Sequence, residues 1–354
     1  MGRNTQQAPY LSTYCRDAFD EYGLNLGEQG IVFRRQYHLD PYLRGVADTE
    51  IHSRLAAIVD NSVHYDSNGS PRLLPPDEAA YWHRKAEEVV EHLRSNEKND
   101  FFVDSDSISD AKVLRLRHDI REKKNYESYA PWGKVPPLSR LSPRALYKYG
   151  EAKHLRPALE KGRIRISPTS HYSDSSLNTA RQDGDEGRII LRPSQTGFPI
   201  LLKDPLGKII MDSSHPRQSQ VALEIGGDQN FYVWCCSKAY EPRMFVDFEA
   251  DACLVIHELQ EFAERLNRGL YQKVPVLPGM YANDVKYYDP LCPDDSFAEM
   301  FTSRCPLFFY KDFRYAYQKE YRFSWPMKEL VALKPIEIEI GPIHDIAELV
   351  EIIR

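Results

Sequence analysis

"ALYKYGEAKHLRPALEKGRIRIS", residues 145–167, decides the fold class. "LYKY" alternates, with Lys148 pointing away from Tyr147 and Tyr149, as a short strand does. "EAKHLRPALEKG" reads as a short helix closed by Gly162. "RIRIS" returns to alternation. The grammar then stays one of short strands: "GRIILRP", "FPILLKD", "LGKIIMD", "FYVWCCS", "DACLVIH", "VKYYD", "YQKEYRFSWP" and "KPIEIEI". Two helices are expected among them, "ELQEFAERLNRG" and a final "IHDIAELVEII". A regular βαβα alternation is absent, as are GxGxxG and GxxxxGK[ST] motifs. The expectation is an α+β domain with a mixed, mostly antiparallel sheet and few helices.

Upstream the periodicity is helical. In "PPDEAAYWHRKAEEVVEHLRSN", Asp77 can cap a helix whose Ala79, Trp82, Ala86, Val89, Val90 and Leu93 share helical spacing. His83 and His92 fall among its charges and are expected at the surface. "DTEIHSRLAAIVDN" forms an earlier helix through Ile51, Leu55 and Ile58, and "SDAKVLRLRHDIREKKNYES" a later charged one. "YAPWGKVPPLSRLSP" reads as a linker or rigid arm. The division is therefore a mainly helical region, 1–135, followed by an α+β domain, 136–354.

A chain of 354 residues suits two domains and a substantial core. The net charge of −6 hides an asymmetry, because residues 111–165 carry a local surplus of +10. That stretch interleaves its cations with Tyr126, Tyr129, Trp132, Tyr147 and Tyr149, a composition suited to a single-stranded nucleic acid or a dinucleotide. It can equally pair with the acidic remainder. The six cysteines, Cys15, Cys235, Cys236, Cys253, Cys292 and Cys305, form no CxxC or zinc pattern and read as reduced thiols. Cys235 and Cys236 should face opposite sides of one strand. No apolar run is long enough to span a bilayer and no apolar leader opens the chain, so a cytoplasmic protein without membrane association is expected.

Four places could carry chemistry. The first is Lys148. The second is the polar loop "SPTSHYSDSSLNTARQDGDEGR", with His171, Tyr172, Asp174, Arg181, Asp183, Asp185 and Glu186, which suits a ligand lid and lacks calcium-loop spacing. The third is Ser237, ending "FYVWCCS". The fourth is "YQKEYRFSWP", residues 317–326. By alternation Gln318, Glu320, Arg322 and Ser324 share one face there. Tyr317, Lys319, Tyr321, Phe323 and Trp325 share the other. Alternatively Gln318, Glu320 and Arg322 hold only a structural Glu–Arg pair on an exposed face. His154 and His257 read as structural.

The order of these motifs resembles a bacterial family catalogued as domain of unknown function 2971. That family runs L-Y-K-Y, then G-x-L-x-F-S-x-P-x-x-F-N-D-P-F-E, then a C-[FLW]-S strand, a V-x-Y strand and E-x-E-[YF]-R. The likeness covers roughly residues 144–325, and "YSD" with "SLNTARQDGDEG" departs from the second motif. The family is in turn similar in layout to ADP-ribosyltransferases, which implies an ADP-ribosyltransferase-like split sheet. On that resemblance Lys148 takes the first-strand position usually held by His or Arg, Cys236–Ser237 the second motif, and Gln318-x-Glu320 the third. Glu320 and Gln318 would then be catalytic. Lys148, Tyr149, Tyr172, Asp174, Arg181, Ser237 and Arg322 would bind NAD.

The implied activity is NAD-dependent ADP-ribosyl transfer, or NAD hydrolysis, in a toxin-like bacterial effector of the anti-phage kind. Cleaving the nicotinamide–ribose bond develops an oxocarbenium-like cation, which a carboxylate such as Glu320 can stabilise. RNA, DNA or a protein would be the acceptor, and the helical region would bind a regulatory partner. The alternative is a non-catalytic nucleic-acid-binding or nucleotide-sensing module that uses Lys148, Arg181 and Arg322 on phosphates. More remote is a metal-dependent nuclease built on Asp183, Asp185 and Glu186.

Overall fold

The structure is a computed structural model. It describes residues 41–65, 71–74, 76–96, 138–140, 142–173, 188–191, 201–203, 209–212, 223–226, 231–274, 279–291, 306–327 and 334–352, with Gly30, Phe33, 36–38 and Pro136. The expected helix at 109–128, most of the linker and of the polar loop (Asp174, Arg181, Asp183, Asp185 and Glu186 included), and Cys15, Cys292 and Cys305 lie outside these residues.

In chain order the elements are α1 (Asp48–Asn61), β1 (Val63–Tyr65), β2 (Pro71–Leu73), α2 (Pro76–Asn96), β3 (Leu146–Gly150), α3 (Ala152–Lys161) and β4 (Arg163–Pro168). Next come β5 (Arg188–Leu191), β6 (Leu201–Lys203), β7 (Ile209–Asp212), β8 (Leu223–Gly226), β9 (Phe231–Ser237), α4 (Pro242–Asp247), β10 (Ala252–Ile256) and α5 (Leu259–Lys273). The chain continues through β11 (Tyr281–Asp284), β12 (Lys286–Tyr288), β13 (Tyr310–Asp312), β14 (Glu320–Pro326), β15 (Ile336–Glu339) and β16 (Ala347–Glu351). The central sheet runs β11-β14-β9-β3-β10-β16, with β4 joining β9 and carrying β15. All of these pairings are antiparallel. Among the described strands only β12 and β13 pair in parallel. The result is a mixed α/β protein with a mostly antiparallel sheet. None of its described helices is long and apolar enough to cross a membrane.

The strand–helix–strand stretch forms as its sequence demands. Gly162 ends α3 with φ +68°, and its N–H caps the Ala158 carbonyl. The Gly162 carbonyl then accepts from Ile340 N–H at 3.0 Å, so β15 follows β4 closely. One face of the sheet, through Leu146, Trp234, Cys236, Leu254, Phe323 and Trp325, packs on α3 and α5 residues such as Leu155, Phe262 and Leu266. The other face, through Tyr147, Tyr149, Cys253 and Val255, packs on Met244 and Phe245 of α4.

The last segment is a strand where helical spacing suggests a helix. Ile343, Ile346, Ala347 and Val350 do fall at helical intervals, but the open edge of β10 offers a row of backbone groups. Residues 347–351 pair with it antiparallel, Ala347 opposite Ile256. Ladder bonds and two half-apolar faces outweigh local periodicity here.

α2 also differs from expectation. It starts at Pro76, so Asp77 lies inside the first turn rather than at the cap. His83 and His92 are buried, not superficial, as are Lys85, Glu87, Glu88 and Glu91. Charges can go inside only when paired, and these have partners. Tyr37 Oη and His92 Nδ1 lie 2.6 Å apart, the Tyr42 hydroxyl donates to Glu88 at 2.6 Å, and His38 meets Glu91 at 2.7 Å. Arg54 of α1 forks onto Asp289 at 2.7 and 2.5 Å, and Lys85 reaches the same carboxylate at 3.0 Å. Trp82 stacks on Phe313, and Leu291 joins the same apolar cluster. The helices therefore share a core with Asp289, Leu291 and Phe313.

Candidate functional site

β3 and β9 share one bridge, Tyr147 opposite Ser237. Earlier in β9, Val233 and Tyr232 pair with Ser167 and Pro168 of β4 instead. The sheet therefore splits between β3 and β4, and a cleft of about 470 Å³ opens into the gap. Seven of the nine residues assigned to catalysis or NAD binding line it: Lys148, Tyr149, Tyr172, Ser237, Gln318, Glu320 and Arg322. Its volume falls in the usual range for small-molecule sites, about 300–1,000 Å³.

The register sorts these residues by face. Glu320 lies opposite Ser237, which lies opposite Tyr147, so these three share one side of the sheet. Lys148 starts from the other side. Its ammonium sits 5.2 Å from the centre of the Trp234 ring and donates to the Cys235 carbonyl at 2.7 Å, across the split. Tyr149 and Ser237 spend their hydroxyls on the backbone of the same corner. Tyr149 Oη donates to the Ala239 carbonyl at 2.6 Å and accepts from Glu241 N–H. Ser237 Oγ donates to the Gln318 carbonyl at 2.7 Å and accepts from Ala239 N–H at 2.9 Å. Tyr172 lies in a short 3₁₀ turn, Thr169–Ser173, beside His171, which also lines the cleft.

Gln318 is not on the strand with Glu320. It ends a 3₁₀ turn, Phe313–Gln318, and Lys319 at φ +42° separates the two. The expected alternation, over 317–326, starts three residues late, at Glu320, because the chain must reverse before it joins β9. From Glu320 onward it holds: Glu320, Arg322 and Ser324 face one way, while Phe323 and Trp325 enter the core. The Glu–Arg pair is buried rather than exposed.

Glu320 is gripped from several sides. Arg322 Nε donates to Oε1 at 2.7 Å and Nη2 to Oε2 at 3.2 Å. Lys311 Nζ donates to Oε2 at 3.2 Å and to Gln318 Oε1 at 3.1 Å. The Cys235 thiol donates to the carboxylate as well. Glu320 N–H donates to the Tyr287 hydroxyl at 2.9 Å, and the Glu320 carbonyl accepts from Val285 N–H. Arg322 is itself anchored on the Phe308 carbonyl. Burial opposes ionisation of Glu320, but the adjacent Arg322 and Lys311 charges outweigh it and hold the carboxyl well below the usual carboxylate range. Burial pushes the Tyr287 phenol up, so its hydroxyl stays protonated.

Lys311, Tyr287, Trp234 and Cys235 are the site residues that sequence reasoning passed over. Tyr287 belongs to "VKYYD", the V-x-Y strand of the motif order, but that order gives it no role, and Lys311 comes from a short strand outside the motifs. Cys235 had one signal, the doublet. Cys236 enters the core while Cys235 is half-buried at the cleft, on opposite sides as expected. Cys236 and Cys253 are buried free thiols. His154 is exposed beside Glu151, and His257 pairs with Glu348 at 3.2 Å.

The cleft thus presents cations for phosphate, aromatic faces for flat rings, and a buried ionised carboxylate. Comparison with protein-family models, with curated proteins and with solved structures found no match to this chain.

Proposed function

We propose that the protein is an NAD-dependent ADP-ribosyltransferase, or an NAD glycohydrolase, and a toxin-like bacterial effector related in layout to the domain of unknown function 2971. One observation carries the reading: residues from three motif strands, Lys148, Ser237 and Glu320, line a single cleft where the sheet splits. The residues suit NAD as substrate. Lys148 and Arg322 would meet its phosphates, and Trp234 and Tyr172 would cover a ring. In the reaction the glycosidic C–N bond breaks and its electron pair leaves with nicotinamide. The ribosyl carbon then bonds to the acceptor or to water, which gives up a proton. Glu320 is the carboxylate available to stabilise the ribosyl cation.

The test is incubation of folded protein with labelled NAD and RNA, DNA or lysate. Label transfer or nicotinamide release, lost in Glu320→Ala, is expected. Neither event in the wild type overturns the proposal.

A second reading has its own support. Lys311 and Arg322 give Glu320 two cations for one carboxylate, a local surplus that favours an anion and opposes a developing positive charge. That charge balance suits a non-catalytic nucleotide- or nucleic-acid-binding module. It predicts binding that falls steeply with salt and survives Glu320→Ala.

A further inference from the structure

Gln318 and Glu320 would act together in the cleft, and Ser237 ties the Gln318 carbonyl to β9 opposite Glu320, but that bond leaves the two side chains unlinked. Gln318 closes a 3₁₀ turn, Glu320 opens β14, and the left-handed Lys319 lies between them. No ladder runs through both side chains. The link comes from β13. Lys311 is 6% exposed, and its ammonium donates to Gln318 Oε1 at 3.1 Å and to Glu320 Oε2 at 3.2 Å, 4.4 Å from the Tyr315 ring centre. Lys311 stands opposite Tyr287 in the β12–β13 pair, and Tyr287 Oη accepts from Glu320 N–H. One rung of a two-stranded ribbon therefore holds Glu320 at both its amide and its carboxylate.

Arg322 cannot take this role. It bonds Glu320 along the same strand and is tied to the Phe308 carbonyl. A buried ammonium is costly unless well partnered, and these partners are the two side chains of the proposed chemistry. We propose that Lys311 is a positioning residue: it fixes the Gln318 amide against the Glu320 carboxylate so that the two present one rigid constellation to the substrate. The inference rests on the catalytic reading above.

The experiment compares wild type, K311M and K311R in nicotinamide release against pH and in calorimetric binding of ADP-ribose. K311M should lower kcat by roughly a hundredfold, the cost of misplacing an aligned group, and leave ADP-ribose affinity within about threefold. The groups facing the Glu320 carboxylate are Arg322 on its own strand, Lys311 on β13, the Cys235 thiol on β9 and, at its amide, Tyr287 on β12. Removing Lys311 leaves Arg322 as the adjacent cation, so the acid limb of kcat should move to higher pH. K311R should restore both kcat and the limb. A K311M that melts earlier but keeps its kcat and its acid limb overturns the proposal. If K311M does not fold, Gln318→Met carries the test, because it leaves the Lys311–Glu320 pair in place. It should lower kcat with the acid limb unmoved, and an unchanged kcat overturns the proposal.

Failure of the catalytic reading is separately visible as no nicotinamide release by wild type. Positioning is then read from iodoacetamide alkylation of Cys235, followed by peptide mass spectrometry. K311M should change the alkylation rate several-fold because the carboxylate beside the thiol is no longer held at Oε2 by the ammonium, and K311R should not. Equal rates in all three proteins overturn the proposal.

Discussion

The Lys148 ammonium donates to the Cys235 carbonyl oxygen at 2.7 Å across the gap where β3 and β9 part. A split sheet leaves backbone groups without ladder partners on both lips. Here a side chain from one lip satisfies a carbonyl on the other, and its stem lies against Trp234. The bond therefore links the two lips of the cleft.

Lys148→Met keeps the stem and removes the donor. It should cost about 2 kcal/mol, the scale of a charged hydrogen bond that leaves its acceptor stranded, and weaken ADP-ribose binding. Urea unfolding and calorimetry measure the two effects. Unchanged values for both would show that the bond across the gap contributes nothing.

Glu320→Gln leaves Arg322 and Lys311 buried without their carboxylate. Loss of one partner from such a cluster costs about 3–5 kcal/mol. The sign with pH follows from the lowered folded pKa. Glu320 contributes its full stability above the unfolded carboxylate value, about 4.3, and loses it as pH falls toward the folded value. The variant should therefore show a shallower loss of stability with acid than wild type in urea melts run from neutral pH downward. Parallel pH curves would contradict this.

Asn61 ends α1 and holds the turn that delivers Gln318. Its amide donates to the Phe313 carbonyl at 3.1 Å and to Ala57 O at 2.8 Å. Asn61→Ala should cost about 1–2 kcal/mol and speed amide exchange across residues 313–319. It should slow any turnover although it lies outside the cleft lining. Exchange rates equal to wild type would separate the helices from the site.

Gly162→Ala should be among the costliest single-methyl additions. A Cβ there would stand 1.9 Å from the Gly341 carbonyl oxygen, and φ is +68°. The left-handed conformation alone costs about 1–2 kcal/mol, and overpacking against rigid backbone adds about 1–3 kcal/mol more. The denaturation midpoint should fall with the slope unchanged. A midpoint near that of wild type would mean that β4 and β15 part easily.

Local pattern determined the parts whose physics is local. Alternation places Phe323 and Trp325 in the core and Glu320 and Arg322 on the opposite face. Helical spacing gives α1, α2, α3 and α5, and a glycine that tolerates positive φ ends α3. Seven of the nine side chains given catalytic or NAD-binding roles on the motif order line one cleft. Only the tertiary structure decided the rest. Residues 347–351 are a strand because an unpaired sheet edge offered ladder bonds. His83 and His92 are buried because segments distant in sequence cover α2 and pair its charges. Gln318 left the strand because the chain turns before it can join β9. Lys311 entered the site from a ribbon whose pairing no spacing encodes. Each of these depends on contacts between residues far apart in the chain, and periodicity within one segment carries no record of them.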